Sequence, residues 1–211
     1  MSKENVIVSI SGVHGVGKTT LITKICELTG YLASPKRVPN PFNDETLSLM
    51  FYVLSFACRD DEINRMEGLI FIDRDSARDI LVDVWAHREL GYINSNSERC
   101  IVSACEDVLC PRRHIDYSFL LDDNPEEILK RIIKRPLPAG HLQKLEYNMD
   151  YIKLLIEGFR REFEDYGISQ GEYKISINPT EYSIIPINFK GADELAFEII
   201  NKCRYLRILH K

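Results

Sequence analysis

Gly12-Val13-His14-Gly15-Val16-Gly17-Lys18-Thr19 has the spacing G-x-x-x-x-G-K-[ST]. Glycines at these positions let consecutive backbone N–H groups turn inward around phosphate oxygens. Lys18 is long enough to reach the β- and γ-phosphates of a nucleoside triphosphate, and the Thr19 hydroxyl suits Mg²⁺. Thr20 carries the cradle into a helix whose N-terminal dipole favours an anion. A plain glycine turn needs neither the lysine nor the hydroxyl. The eight residues therefore predict a nucleoside triphosphate donor with Mg²⁺.

Asp73-Arg74 closes the run Gly68-Leu69-Ile70-Phe71-Ile72. An acid at the carboxyl end of a buried strand can hold Mg²⁺ beside a phosphate cradle. An arginine next to it points to a second anion in the same cleft. Arg78 follows four residues later on the same helix face, where a solvated ion pair is the competing reading. Arg131 and Arg135 flank Lys134 and precede a Pro/Gly loop. From Ile128 to Arg161 there are eight Lys/Arg against three Asp/Glu, +5 in a chain of net charge −5. A basic flap would neutralise charge spreading over a transferring phosphoryl group, although cations also suit any helix C-terminus.

These residues need a frame. Residues 5–10 read as a strand buried on both faces, followed by the glycine turn and a helix to about Leu28. Residues 36–38 read as a short second strand. A helix is predicted over 44–60, a strand over 68–72, and helices over 75–90 and 97–109. Residues 116–121 read as a strand. Asn124-Pro125-Glu126-Glu127 then supplies a cap, a first-turn proline and first-turn acid for a helix to Arg135. A loop at 136–145, a long helix from 149, two short β-like runs (172–177, 182–187) and a last helix near 195–206 complete the chain. Strands and helices alternate, which predicts a three-layer α/β/α fold on a parallel five-stranded sheet. No internal repeat or linker breaks 1–211, so one domain is expected, with residues 134–146 as a small lid.

The 211 residues are 45% hydrophobic and 28% charged, the balance of a globular chain rather than a disordered or fibrous one. The negative net charge disfavours duplex nucleic acid as partner. No apolar run is long enough to span a membrane, and the N-terminus lacks a signal-peptide pattern. A cytoplasmic protein is expected, with its six cysteines reduced. Cys100, Cys105 and Cys110 step by five, about 140° apart on an α-helix, so they do not share a face. With no C-x-x-C, zinc ligation is not expected.

With these motifs in order, the chain resembles the P-loop nucleotide kinases, and within them the thymidylate kinase-like group. Residues 47–62 are similar to that group's substrate-pocket helix, which implies Phe51, Phe56 and Arg59 near the acceptor base and phosphate. Residues 71–75 resemble its D-R-[YH] motif, and 115–135 the segment leading to its lid. Gly15 stands where some members carry an arginine, so the resemblance assigns that duty to Arg131 and Arg135. Arg37-Val38-Pro39-Asn40 replaces the R-E-P-G turn, leaving Arg37 for an acceptor phosphate but no glutamate. His14 replaces the sugar-contacting acid of the glycine loop, and Asp75 the aromatic of the D-R motif.

The resemblance implies an ATP-dependent phosphotransferase with small-molecule nucleotide substrates, no nucleic-acid or membrane partner, and a homodimer. In the leading reading, γ-phosphoryl passes from Mg-ATP to a nucleoside monophosphate, dTMP first. Lys18 and Gly12 to Thr20 hold ATP, Thr19 and Asp73 hold Mg²⁺, and Arg37, Arg59 and Arg74 clamp the acceptor. Lys18, Asp73, Arg131 and Arg135 carry the catalysis. The alternative is a deoxynucleoside or other small-molecule kinase, with Asp73 as candidate base. A third reading is a regulatory ATPase without a nucleotide acceptor.

Overall fold

The structure is a computed structural model that describes residues 5–34, 40–112, 115–134, 143–164, 169–170, 173–174, 181–187 and 190–205. The apolar run Val6–Ser11 forms β1, buried along its whole length. Helix α1 (Lys18–Thr29) starts directly on the glycine turn and ends on Gly30, which takes a left-handed conformation. Strand β2 is the pair Leu32–Ala33. Residues 36–38, read from the sequence as this strand, lie outside the described residues.

Helix α2 (Glu45–Ile63) begins where the Asp44 carboxylate accepts the Leu47 N–H at 2.9 Å. Strand β3 (Leu69–Asp73) is followed by α3 (Ser76–Glu89), capped by Asp75 accepting from the Arg78 N–H. Helix α4 (Ser95–Ala104) is capped by Asn94. It then widens into a π turn over Cys105–Leu109, where the Cys110 N–H reaches the Cys105 carbonyl. The α-helical spacing expected of Cys105 and Cys110 therefore does not hold locally. All six cysteines are free.

Strand β4 (Tyr117–Asp122) leads into α5 (Pro125–Ile133), with Asn124 as cap and proline in the first turn, as the sequence pattern requires. Helices α6 (Gln143–Glu146) and α7 (Met149–Glu164) follow. A small antiparallel pair, β5 (Ser169–Gln170) and β6 (Tyr173–Lys174), precedes β7 (Glu181–Pro186) and α8 (Ala192–Tyr205). Among the described residues no helix is long and apolar enough to cross a membrane.

The main sheet has five parallel strands in the order β2-β3-β1-β4-β7, flanked by helices. Val8 sits between Phe71 of β3 and Tyr117 of β4, so β1 is central. Chain order reverses there, because β3 lies on one side of β1 and β4 on the other. In an open parallel sheet such a reversal leaves a crevice beyond the carboxyl ends of the strands. The glycine turn after Ser11 and the acid at Asp73 both fall in that crevice.

Candidate active site

The cradle is built by backbone shape. Gly12 has φ +133, and a Cβ there would sit 2.6 Å from the Leu121 carbonyl oxygen. Gly15 has φ +85, and a Cβ there would sit 2.5 Å from the Ile132 side chain of α5. Both facts exclude a side chain, including the arginine found at the Gly15 position in some resembling kinases. Val13 and Val16 point into the core and anchor the loop. Lys18 is 6% exposed, and its ammonium donates to the carbonyls of Gly12 at 2.6 Å and Val13 at 2.9 Å. Thr20 is exposed in the first turn of α1.

The Thr19 hydroxyl donates to Asp73 Oδ2 at 2.6 Å, joining α1 to the end of β3. A hydroxyl and a carboxylate oxygen, side by side at a phosphate cradle, are the hard donors that Mg²⁺ prefers. The residues present therefore fit a magnesium ion. On the opposite rim, Arg131 of α5 reaches the Val16 carbonyl at 3.4 Å and pairs with Asp123. Arg131 thus stands beside the cradle, as expected. Arg135 lies outside the described residues, and so do Arg37 and Val38.

Among the described residues Arg74 is the one non-glycine with positive φ, +80. Such a conformation is costly and persists only where the surroundings enforce it. Its N–H donates to the Ile10 carbonyl at 3.0 Å, so the turn is tied to β1. Its carbonyl, and that of Asp73, accept from Arg59 at 3.1 Å and 2.7 Å. Arg59 also donates to Ser76 Oγ, pairs with Asp60 and lies over the Phe56 ring at 4.5 Å. The acceptor-clamping role expected of Arg59 is corrected here. Its guanidinium is spent on the turn that aims Arg74, and it does not line the cleft.

That cleft lies between α2, α3 and α6–α7. Its lining combines Leu49, Tyr52, Phe56 and Leu145 with the polar side chains of Ser48, Arg74, Asp83, His87, Tyr151, His14 and Glu146. Apolar and aromatic side chains with a few polar groups are the build of a small-molecule site. Phe56 lies here as expected. Phe51 does not line the cleft; it packs edge-on against Phe42 and Tyr52.

The electrostatics turn on Arg74. Its guanidinium is 3.5 Å from Asp83 and 3.6 Å from Asp79, and it donates to His14 Nδ1 at 2.7 Å. A guanidinium can only donate, so His14 accepts and is neutral. Burial and Arg74 both lower the His14 pKa, in agreement. Burial pushes Asp79 up to about 7, against the pull of Arg74 and Lys18. Burial also acts to raise Asp83, but His14, Arg74 and His87 hold its carboxyl well below the usual range. Tyr151 donates to Asp83 at 3.2 Å. Arg78 is not on the surface: it is 1% exposed between Asp75 and Glu162 and outside the cleft.

Sequence reasoning missed Tyr52, Asp83, His87, Glu146 and Tyr151. Asp83 was within reach of it. With Asp75 and Asp79 it makes a four-residue series along α3, and i, i+4 neighbours share a helix face. Tyr151 and Glu146 carry no such signal, because they come from distant elements.

No protein-family model matches the chain, and no curated protein does. Solved structures do match. A deoxyadenosine kinase from M. mycoides, with products dCMP and a flexible dCDP bound, superposes with a TM-score of 0.74. The identity is 15%, over 95% of this chain and 100% of that one. The same kinase with dATP gives 0.73 at 16% identity, over 93% and 100%. With dCTP it gives 0.69 at 14% identity, over 93% and 100%. At such identities the likeness is one of fold: a parallel five-stranded sheet flanked by helices.

Proposed function

We propose that the chain is an ATP-dependent kinase whose acceptor is a nucleoside, the second of the readings drawn from the sequence. One observation carries this. Among the described residues lining the cleft, Arg74 is the one arginine or lysine and pairs with Asp79 and Asp83, while the imidazole of His87 faces Glu45 as its own carboxylate partner. A monophosphate carries about two negative charges at neutral pH and would meet Asp83 and Glu146 at close range. A neutral nucleoside meets aromatic and hydrogen-bonding groups instead. The solved deoxyadenosine kinases of like fold support the same choice.

In this reading the amides of Gly12 to Thr20 and the Lys18 ammonium bind the triphosphate of ATP. Thr19 and Asp73 hold Mg²⁺, which neutralises charge on the transferring phosphoryl group. Arg131 closes on the donor from α5. Arg74 and Asp83 orient the acceptor sugar. A neutral hydroxyl needs a proton acceptor, and Asp73, hydrogen-bonded to Thr19 and next in the chain to Arg74, is assigned that role.

The experiment supplies deoxyadenosine, deoxycytidine, thymidine and their 5′-monophosphates separately with Mg-ATP and follows ADP. ADP is expected with one or more nucleosides. ADP with monophosphates alone, dTMP included, would overturn the reading in favour of a monophosphate kinase.

A further inference from the structure

His87 lines the cleft and is 2% exposed. Its Nδ1 is 2.6 Å from the Asp83 backbone oxygen. A carbonyl only accepts, so Nδ1 carries a proton, and this fixes the ring. Nε2 is different. Glu45 Oε2 of α2 stands 3.4 Å away, but Nε2 has no partner with hydrogen-bond geometry. The Tyr151 ring of α7 meets the imidazole edge-on at 5.3 Å, and Tyr92 meets it at 6.2 Å. These aromatic contacts hold the ring without satisfying Nε2. A buried polar atom left in this state costs free energy unless a ligand supplies the partner.

We propose that His87 is the residue by which the cleft selects its nucleoside: Nε2–H donates to a ring nitrogen or carbonyl oxygen on the edge of the acceptor base. This rests on the nucleoside-kinase reading above and adds a specificity determinant to it. Glu45 is the positioning residue that keeps the donor charged. The groups facing His87 are Glu45 from α2, the Asp83 carboxylate and carbonyl from α3, Tyr151 from α7 and Tyr92 from the turn after α3. Arg74 and His14 lie beyond Asp83. Burial lowers the His87 pKa, but Glu45 and Asp83 outweigh it, so the imidazolium persists above its ordinary range. When it loses its proton, Asp83 retains Nδ1–H, and Nε2 changes from donor to acceptor.

The test pairs a consumed nucleoside with its deaza and deoxo analogues, in which one ring nitrogen or carbonyl of the base is replaced by C–H or CH₂. A hydrogen bond from a charged donor is expected to be worth about tenfold or more in kcat/KM. One analogue should lose that factor with the wild-type protein and under about twofold with His87→Leu. The wild-type penalty should shrink as pH rises, and Glu45→Gln should move that change to lower pH. Equal penalties in wild type and variant, or a penalty independent of pH in wild type, would overturn the proposal. If His87→Leu does not fold, ¹⁵N resonances of the wild-type imidazole decide. Nε2 should shift with the nucleoside and not with the critical analogue, and equal shifts would overturn it. If no nucleoside yields ADP, the underlying kinase reading fails. If nucleosides react with unaltered selectivity, only the role of His87 fails.

Discussion

Arg59 and Arg74 meet head to tail: the Arg59 guanidinium donates to the Arg74 carbonyl at 3.1 Å and to the Asp73 carbonyl at 2.7 Å. One buried cation thereby holds a second in a positive-φ turn at the edge of the cleft. The arrangement explains why a costly backbone conformation persists at the end of β3.

Arg59→Ala should destabilise the fold by about 3 kcal/mol, because it leaves two carbonyls and Asp60 buried without their charged partner. Arg59→Lys should recover little, since an ammonium lacks the planar fork that spans both carbonyls and Ser76. Urea unfolding measures the stability, and acceptor KM reports whether Arg74 has lost its aim. A lysine variant equal to wild type in both would refute the clamp.

Lys18→Ala should lower ADP formation at least a hundredfold, roughly the cost of removing one preorganised charge from a transition state. Circular dichroism should be unchanged, because the ammonium's hydrogen bonds to the Gly12 and Val13 carbonyls lie within its own loop. Turnover above a tenth of wild type would remove Lys18 from the donor site.

Gly15→Ala should cost about 1–3 kcal/mol from left-handed strain and from collision with Ile132. Ile132→Ala in the same chain should restore only the collision part, since φ +85 remains. Thermal unfolding of the two single variants and the double variant checks this. Full restoration would mean that space alone selects glycine.

Asp73→Asn should raise the Mg²⁺ concentration for half-maximal activity about tenfold, as is typical when a supporting carboxylate is lost. Excess chelator should abolish wild-type turnover. An unchanged magnesium titration would move the metal away from Thr19 and Asp73.

The buried Asp79 carboxyl gives a pH signature. Its folded pKa, about 7, lies above the unfolded value of 3.8. Between those pH values the folded chain holds a proton that the unfolded chain has released, so stability from this group falls as pH rises through the window. Asp79→Asn removes the titration. The melting temperature of the variant minus that of wild type should therefore climb from pH 4 to pH 7. A flat difference would show that Asp79 is ionised throughout.

The glycine loop was legible in the chain, because everything that shapes it is local. Six glycine, lysine and threonine positions within nine residues dictate the turn, and the buried run before it dictates the strand. Alternating strands and helices likewise announced the parallel sheet, and Asn124 announced a helix start later seen as a cap. The cleft beside it was not legible. Arg59 and Arg74 read alike as cations near a pocket, yet backbone carbonyls consume one while the other faces the cleft. His87 looked like an ordinary residue near the end of an amphipathic helix. Only the packing of α2 and α7 against α3 brought Glu45 and Tyr151 to it and left Nε2 buried without a hydrogen-bond partner. Short-range backbone geometry is written in consecutive residues, whereas the charge and polarity of a cleft depend on groups from distant segments that meet only when the chain has folded.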